Sequence, residues 1–205
     1  MGVRVEFKIG PADGIESTLL ESSILFREWY RDLASDDTSG FRPELLTVVD
    51  SMSRVGREAL MPRSLDAAML LDAAVDIFMC DFCTWGPGSG LFKPANTSML
   101  HVRNYAALEP LVEAFGSTPL SCFWRFMLRG RPIARDAGVF PYQPSDPVFR
   151  LSFAAAHELA AVGMDLSRLR SGQWLSEVEA APLYWSADAI DQAMHQSAGL
   201  VVSLG

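Results

Sequence analysis

VRVEFKI, residues 3–9, decides the fold class. Val3, Val5, Phe7 and Ile9 fall on one face, and Arg4, Glu6 and Lys8 on the other. That alternation has a period of two, the mark of a half-buried β-strand rather than a helix. Its counterpart is GLVVSLG, residues 199–205, a short apolar run that suits an interior strand. Between them, VFRLSF (148–153) alternates again, and Met99 to Arg103 forms another possible strand.

Helical periods occupy most of the remainder. From Ile15 to Leu33 apolar residues recur at three and four, predicting one amphipathic helix. Pro43 can open a second, running to about Leu60. Ser64 is placed to cap LDAAMLLDAAVDIFMCDFC, whose wide stripe of Leu70, Leu71, Ala74, Val75, Ile77, Phe78 and Phe82 predicts a central helix. Short helices are expected over 107–115, 120–128, 154–162 and 187–196. Residues 129–147 hold four of the twelve prolines and no clear period, and read as a long surface loop. About four short strands among six or seven helices make a mainly helical α+β domain, with the N- and C-terminal strands in one sheet. No repeat or linker divides residues 1–205, so a single domain is expected.

Composition narrows the functional classes. Apolar residues make up 49% of the 205 residues, enough for a core without disulfides or metal. The net charge of -8 disfavours nucleic acid and anionic membranes, whose binding needs a basic face, and favours a basic protein partner. Only two of the 17 cations are lysines, Lys8 and Lys93, a bias that genome composition explains. No membrane-spanning run and no signal-peptide core is present, and three cysteines do not make a secreted disulfide framework. A cytoplasmic, bacterial protein is expected.

CDFCTWGPGSG, residues 80–90, carries a Cys-x-x-Cys pair. A zinc site needs further paired ligands, and only Cys122 and His101 stand near in sequence. A redox pair opens a helix, whereas Cys80 and Cys83 close one, where the dipole raises a thiol pKa. Buried structural thiols are expected, with metal or redox use as alternatives. The glycines match neither a P-loop nor GxGxxG. AHELAAVG (156–163) lacks the second histidine of a zinc protease, since position 161 is Ala. There is no G-x-S-x-G elbow. No cofactor, metal site or catalytic residue is assigned, although one of His101, His157 and His195 could meet Cys122 in the fold.

Two polar clusters remain. Asp72 and Asp76, one turn apart, read as the solvated side of the central helix and as an acidic face for a partner's cations. WRFMLRGRPIAR places Arg125, Arg129, Arg131 and Arg135 within eleven residues, above Phe123, Trp124 and Phe126. These arginines either pair with the protein's own acids or grip an anion or partner. Tyr142, among prolines in FPYQP, is either a presented aromatic contact or a core residue.

The two ends, MGVRVEFKIGPADGIESTLLES and DAIDQAMHQSAGLVVSLG, resemble the YfbM-like family of uncharacterised bacterial proteins. The resemblance covers about a fifth of the chain and implies a small α+β cytosolic domain; it carries over no catalytic residue. The residues favour a non-enzymatic, acidic protein-binding domain, an immunity-like or small regulatory protein. The alternative is an enzyme or ligand-binding domain holding an anion on the arginine cluster, with Cys122 or a histidine as reactive group.

Overall fold

A computed structural model describes residues 4–11, 15–33, 41–62, 64–95, 100–129, 151–172 and 175–204. The chain is a mainly helical α+β protein with a small antiparallel sheet. Its described residues gather into two compact units, one drawn from 4–11, 93–129 and 151–204 and the other from 15–92.

The first unit holds the sheet. Strand β1 (Arg4–Gly10) lies beside β5 (Gly199–Leu204) in a six-residue antiparallel ladder from Val5 against Leu204 to Gly10 against Gly199. Beyond β5 comes β4 (Leu151–Ala154). The far edge of β1 is shared by two short strands, β2 (Lys93–Pro94) at one end and β3 (Leu100–His101) at the other. The N- and C-terminal strands are therefore neighbours, and five strands form among the described residues where about four were expected. Val5, Phe7 and Ile9 join Leu200, Val202 and Leu204 in one apolar core. The same core takes in helices α5 (Val102–Ala106), α6 (Glu109–Phe115), α7 (Thr118–Arg129), α8 (Ala156–Ser171) and α9 (Glu177–His195).

Lys8 departs from the expected polar side of β1. It is buried, with Nζ 3.5 Å from Glu6 Oε2, and Ser203 Oγ donates to that same oxygen at 3.2 Å. Opposite Lys8 on β5, Val201 is also buried, so this face of the strand pair is not open to water as a simple alternation implies. The Lys8 cation is tolerated because Glu6 lies two residues away on the same face.

At the centre of the core, Tyr105 stands edge-on to Phe7 at 6.3 Å between rings and tilted against Trp124 at 5.7 Å. Trp124 Nε1 donates to the Tyr105 carbonyl at 2.9 Å, which satisfies the indole where no water reaches. Burial pushes the Tyr105 hydroxyl far above the usual phenol range, and its hydrogen bond with Ser186 only partly opposes that.

Helices α8 and α9 both begin earlier or run longer than periodicity implied. The first continues past residue 162 to Ser171, and the second starts at Glu177, ten residues before 187. Pro182 lies inside α9, where it cannot donate to the Val178 carbonyl, yet the helix runs through it. The start is set by a capping box. Ser176 Oγ accepts from Glu179 N at 3.3 Å, and Glu179 Oε2 accepts from Ser176 N at 3.0 Å. No helix among the described residues is long and apolar enough to cross a membrane.

In the second unit the single helix expected from Ile15 to Leu33 is two. Helix α1 (Ile15–Glu21) and α2 (Ser23–Leu33) part at Ser22, where Ser23 Oγ donates to the Leu20 carbonyl at 2.7 Å and competes with the helical ladder. Helix α3 (Pro43–Val55) stops at Gly56, whose φ of 62° is left-handed, and one 3-10 turn carries the chain to Leu60. Ser64 caps α4 (Leu65–Ile77) as expected, accepting from Ala67 N at 3.2 Å. Phe26, Phe78 and Phe82 pack with ring centroids 5.2 to 5.4 Å apart and form the aromatic centre of this unit.

Replacing Ser176 with Ala should cost about 1 kcal/mol of stability at neutral pH, read from urea midpoints. Hydrogen bonds from Ser176 hold the Glu179 carboxyl below its ordinary value of 4.5. A depressed carboxylate stabilises above its unfolded pKa and loses that effect as pH falls through the folded one. The penalty of Ser176→Ala should therefore shrink below about pH 4.5.

Candidate functional site

The Cys80 to Gly90 stretch is a built feature. After Ile77 helix α4 widens into one π turn, Phe78–Phe82, closed by the bond from Cys83 N to the Phe78 carbonyl at 2.9 Å. Such widenings recur at functional positions, because they re-aim side chains relative to the helix before them. The chain then folds over its own end. Trp85 N and Gly86 N both donate to the Asp81 carbonyl, at 2.8 and 3.0 Å, and Gly88 N donates to the Phe82 carbonyl at 3.2 Å. Thr84 Oγ1 ties to the Met79 carbonyl at 3.2 Å.

The glycines of this turn have a steric cause. A Cβ on Gly86 would lie 2.8 Å from the Phe82 carbonyl oxygen, and one on Gly88 would lie 2.4 Å from the Phe82 ring. The backbone wraps the Phe82 ring so closely that no side chain fits. Phe82 in turn is wedged against Phe26, Trp29 and Phe78. The turn is thus stitched by hydrogen bonds and seated on the aromatic centre of its unit.

At its tip stands Trp85, 85% exposed. An indole in water forfeits a large apolar surface, about 150–250 Å² for an aromatic side chain, and this one is held in place by a rigid backbone. Helix α4 and its π turn carry a solvent-facing stripe. Leu65, Met69, Ala73, Asp76 and Cys80 follow one another at spacings of four, four, three and four, and none is fully buried. Asp66 and Asp81 flank the stripe, both exposed. From Ser64 to Phe92 the chain contains four aspartates and neither lysine nor arginine.

The expected acidic face needs correction at one residue. Asp72 is buried, only 9% exposed, because it lies on the packed side of α4 beside Leu71 and Val75. Asp76 does lie on the stripe, half-buried, with its Oδ1 3.4 Å from Cys80 Sγ. The exposed carboxylates of this segment are therefore Asp66 and Asp81, with Asp76 half-buried.

Cys83 is buried, Cys80 half-buried and Cys122 exposed on α7, and no disulfide joins them. His101 caps α5, its Nδ1 accepting from Arg103 N at 3.3 Å, while His157 and His195 are exposed on α8 and α9. Among the described residues no three His, Cys, Asp or Glu side chains gather as a metal-binding group. Arg125 is exposed, with Nη2 3.8 Å from Glu113 Oε1, and Phe123 and Trp124 are buried beneath it as expected. The Arg129 side chain, Arg131, Arg135 and Tyr142 lie outside the described residues.

The residue that sequence reasoning overlooked is Trp85. Its signal was available, since a tryptophan followed directly by Gly-Pro-Gly-Ser-Gly cannot be carried inward by a continuing helix. No known protein family, no curated protein and no solved structure matches the chain.

Two outcomes check this geometry. Gly88→Ala should destabilise the protein by about 1–3 kcal/mol in denaturant titration, because the added methyl meets the Phe82 ring. Thiol labelling of the native protein should modify Cys122 first, Cys80 more slowly, and Cys83 only on unfolding.

Proposed function

We propose that this chain is a non-enzymatic, acidic protein-binding domain whose partner is a basic protein. The observation that supports this reading is Trp85, an exposed tryptophan on a turn that packing and hydrogen bonds make rigid. Tryptophan is the side chain most enriched among residues that dominate protein–protein binding. A rigid backbone beneath it lowers the entropy lost on association. The net charge of -8 speeds encounter with a cationic partner and disfavours nucleic acid.

A small regulatory or immunity-like role in a bacterial cytosol fits such a domain, as does the resemblance of the two chain ends to the YfbM-like family. The arginine reading receives less support, because Arg125 faces Glu113 and the pair offsets part of the charge that an anion would need.

The test is affinity capture from the source lysate with the parent chain and Trp85→Ala, at low and moderate salt. Trp85→Ala should leave stability within about 0.5 kcal/mol, since the side chain is mostly in water. A basic protein held by the parent, lost with Trp85→Ala and released as salt rises supports the reading. Capture that ignores Trp85 overturns it, and so does an empty column.

A further inference from the structure

We infer that Arg170, held over the Tyr184 ring, is a preorganised site for a single carboxylate, which it takes on its Nη1–Nη2 edge. The site lies on α8 and α9 and goes beyond the protein-binding reading. That reading rests on Trp85, so either can fail without the other.

The side chains are placed for this. Arg170 lies in the last turn of α8, and its guanidinium carbon stands 4.2 Å from the centre of the Tyr184 ring on α9. Tyr184 is 51% exposed, so the pair is at the surface. Arg168, two residues earlier, already holds an acid, with Nη1 3.4 Å from Asp165 Oδ1. Arg170 holds none: among the described residues no carboxylate lies within 4 Å of its guanidinium. Its Nε is covered and has no hydrogen-bond partner, whereas Nη1 and Nη2 still reach water.

That exposure pattern fixes how an anion can approach. A guanidinium grips a carboxylate with two parallel N–H···O bonds, either along Nε and one Nη or across the two Nη atoms. Covering Nε closes the first edge and leaves the second. Stacking on the phenol ring restrains a long, flexible side chain before any ligand arrives, so less rotamer freedom is lost on binding.

Charge chooses among anions. Asp188 follows Tyr184 by one turn on the same face of α9, and Glu177 precedes it by two. Both are exposed, and the whole chain carries -8. A doubly charged phosphate meets more of that repulsion than a carboxylate with one charge, and a nucleic acid meets more still.

The probe is acetate, with acetamide as its neutral twin and inorganic phosphate as the competing anion, all at one ionic strength set with chloride. The readout is the Nε–Hε resonance of each arginine in the full chain carrying isotope-labelled arginine, with Arg170 identified by the peak that Arg170→Lys removes. Acetate should shift the Arg170 resonance saturably and leave Arg168 unmoved. Acetamide should shift neither, and phosphate should bind more weakly than acetate. Tyr184→Leu, checked for an unchanged melting curve, should weaken acetate binding about threefold, and Tyr184→Phe, which keeps the ring, should not. The inference is overturned if acetate leaves the Arg170 resonance unmoved, if acetamide shifts it equally, or if Arg168 responds at the same concentrations. It is overturned equally if phosphate binds as tightly as acetate or if Tyr184→Leu binds like the parent.

Discussion

Strand β5 is the element on which the sheet unit depends. It lies between β1 and β4, and every residue from Gly199 to Leu204 is buried. An interior strand must satisfy both its hydrogen-bonding edges and cover both its faces, so it can form only when its neighbours arrive. Its main neighbour lies almost two hundred residues earlier, with Val5 opposite Leu204. A slip of one residue would turn Leu200, Val202 and Leu204 out of the core, and this apolar alternation sets the register. Pairing over such a separation requires the loop entropy to be overcome before any contact rewards it, which places the sheet late in folding.

The other compact unit is organised differently. Its centre is a small set of aromatic rings from α2 and the end of α4 rather than a ladder. The Phe82 ring fills the centre of the unit, while the backbone after it doubles back so tightly that two glycines are required. Trp85 owes its position in water to the same residue that anchors the core. The close packing of the turn and the exposure of Trp85 come from one arrangement around Phe82.

Legibility varied with how local the deciding physics was. The β1 alternation, the Ser64 cap, the Pro43 helix start and the buried Cys83 were all readable, because neighbours within a few residues determine them. The break at Ser22 and the early start of α9 were not read, although side-chain caps signal both. Helical period alone misplaced Asp72, since the wide apolar stripe of α4 leaves little room for a polar side and only packing shows which aspartate lies under it. The arginine and Tyr142 candidates drew attention by composition, whereas Trp85 is a single tryptophan whose exposure follows from the turn around it.

By itself the sequence determined the class of object: an acidic chain with enough apolar residues for a core, strands near both ends, and helices marked by period and cap. Each of these follows from intrinsic preference or summed charge, which need no knowledge of distant residues. Only the tertiary structure decided that β5 is central, that Lys8 and Asp72 are covered, that α4 ends in a π turn, and that Trp85 remains in water. Burial is a property of what packs on a residue, and the residues that pack there come from elsewhere in the chain.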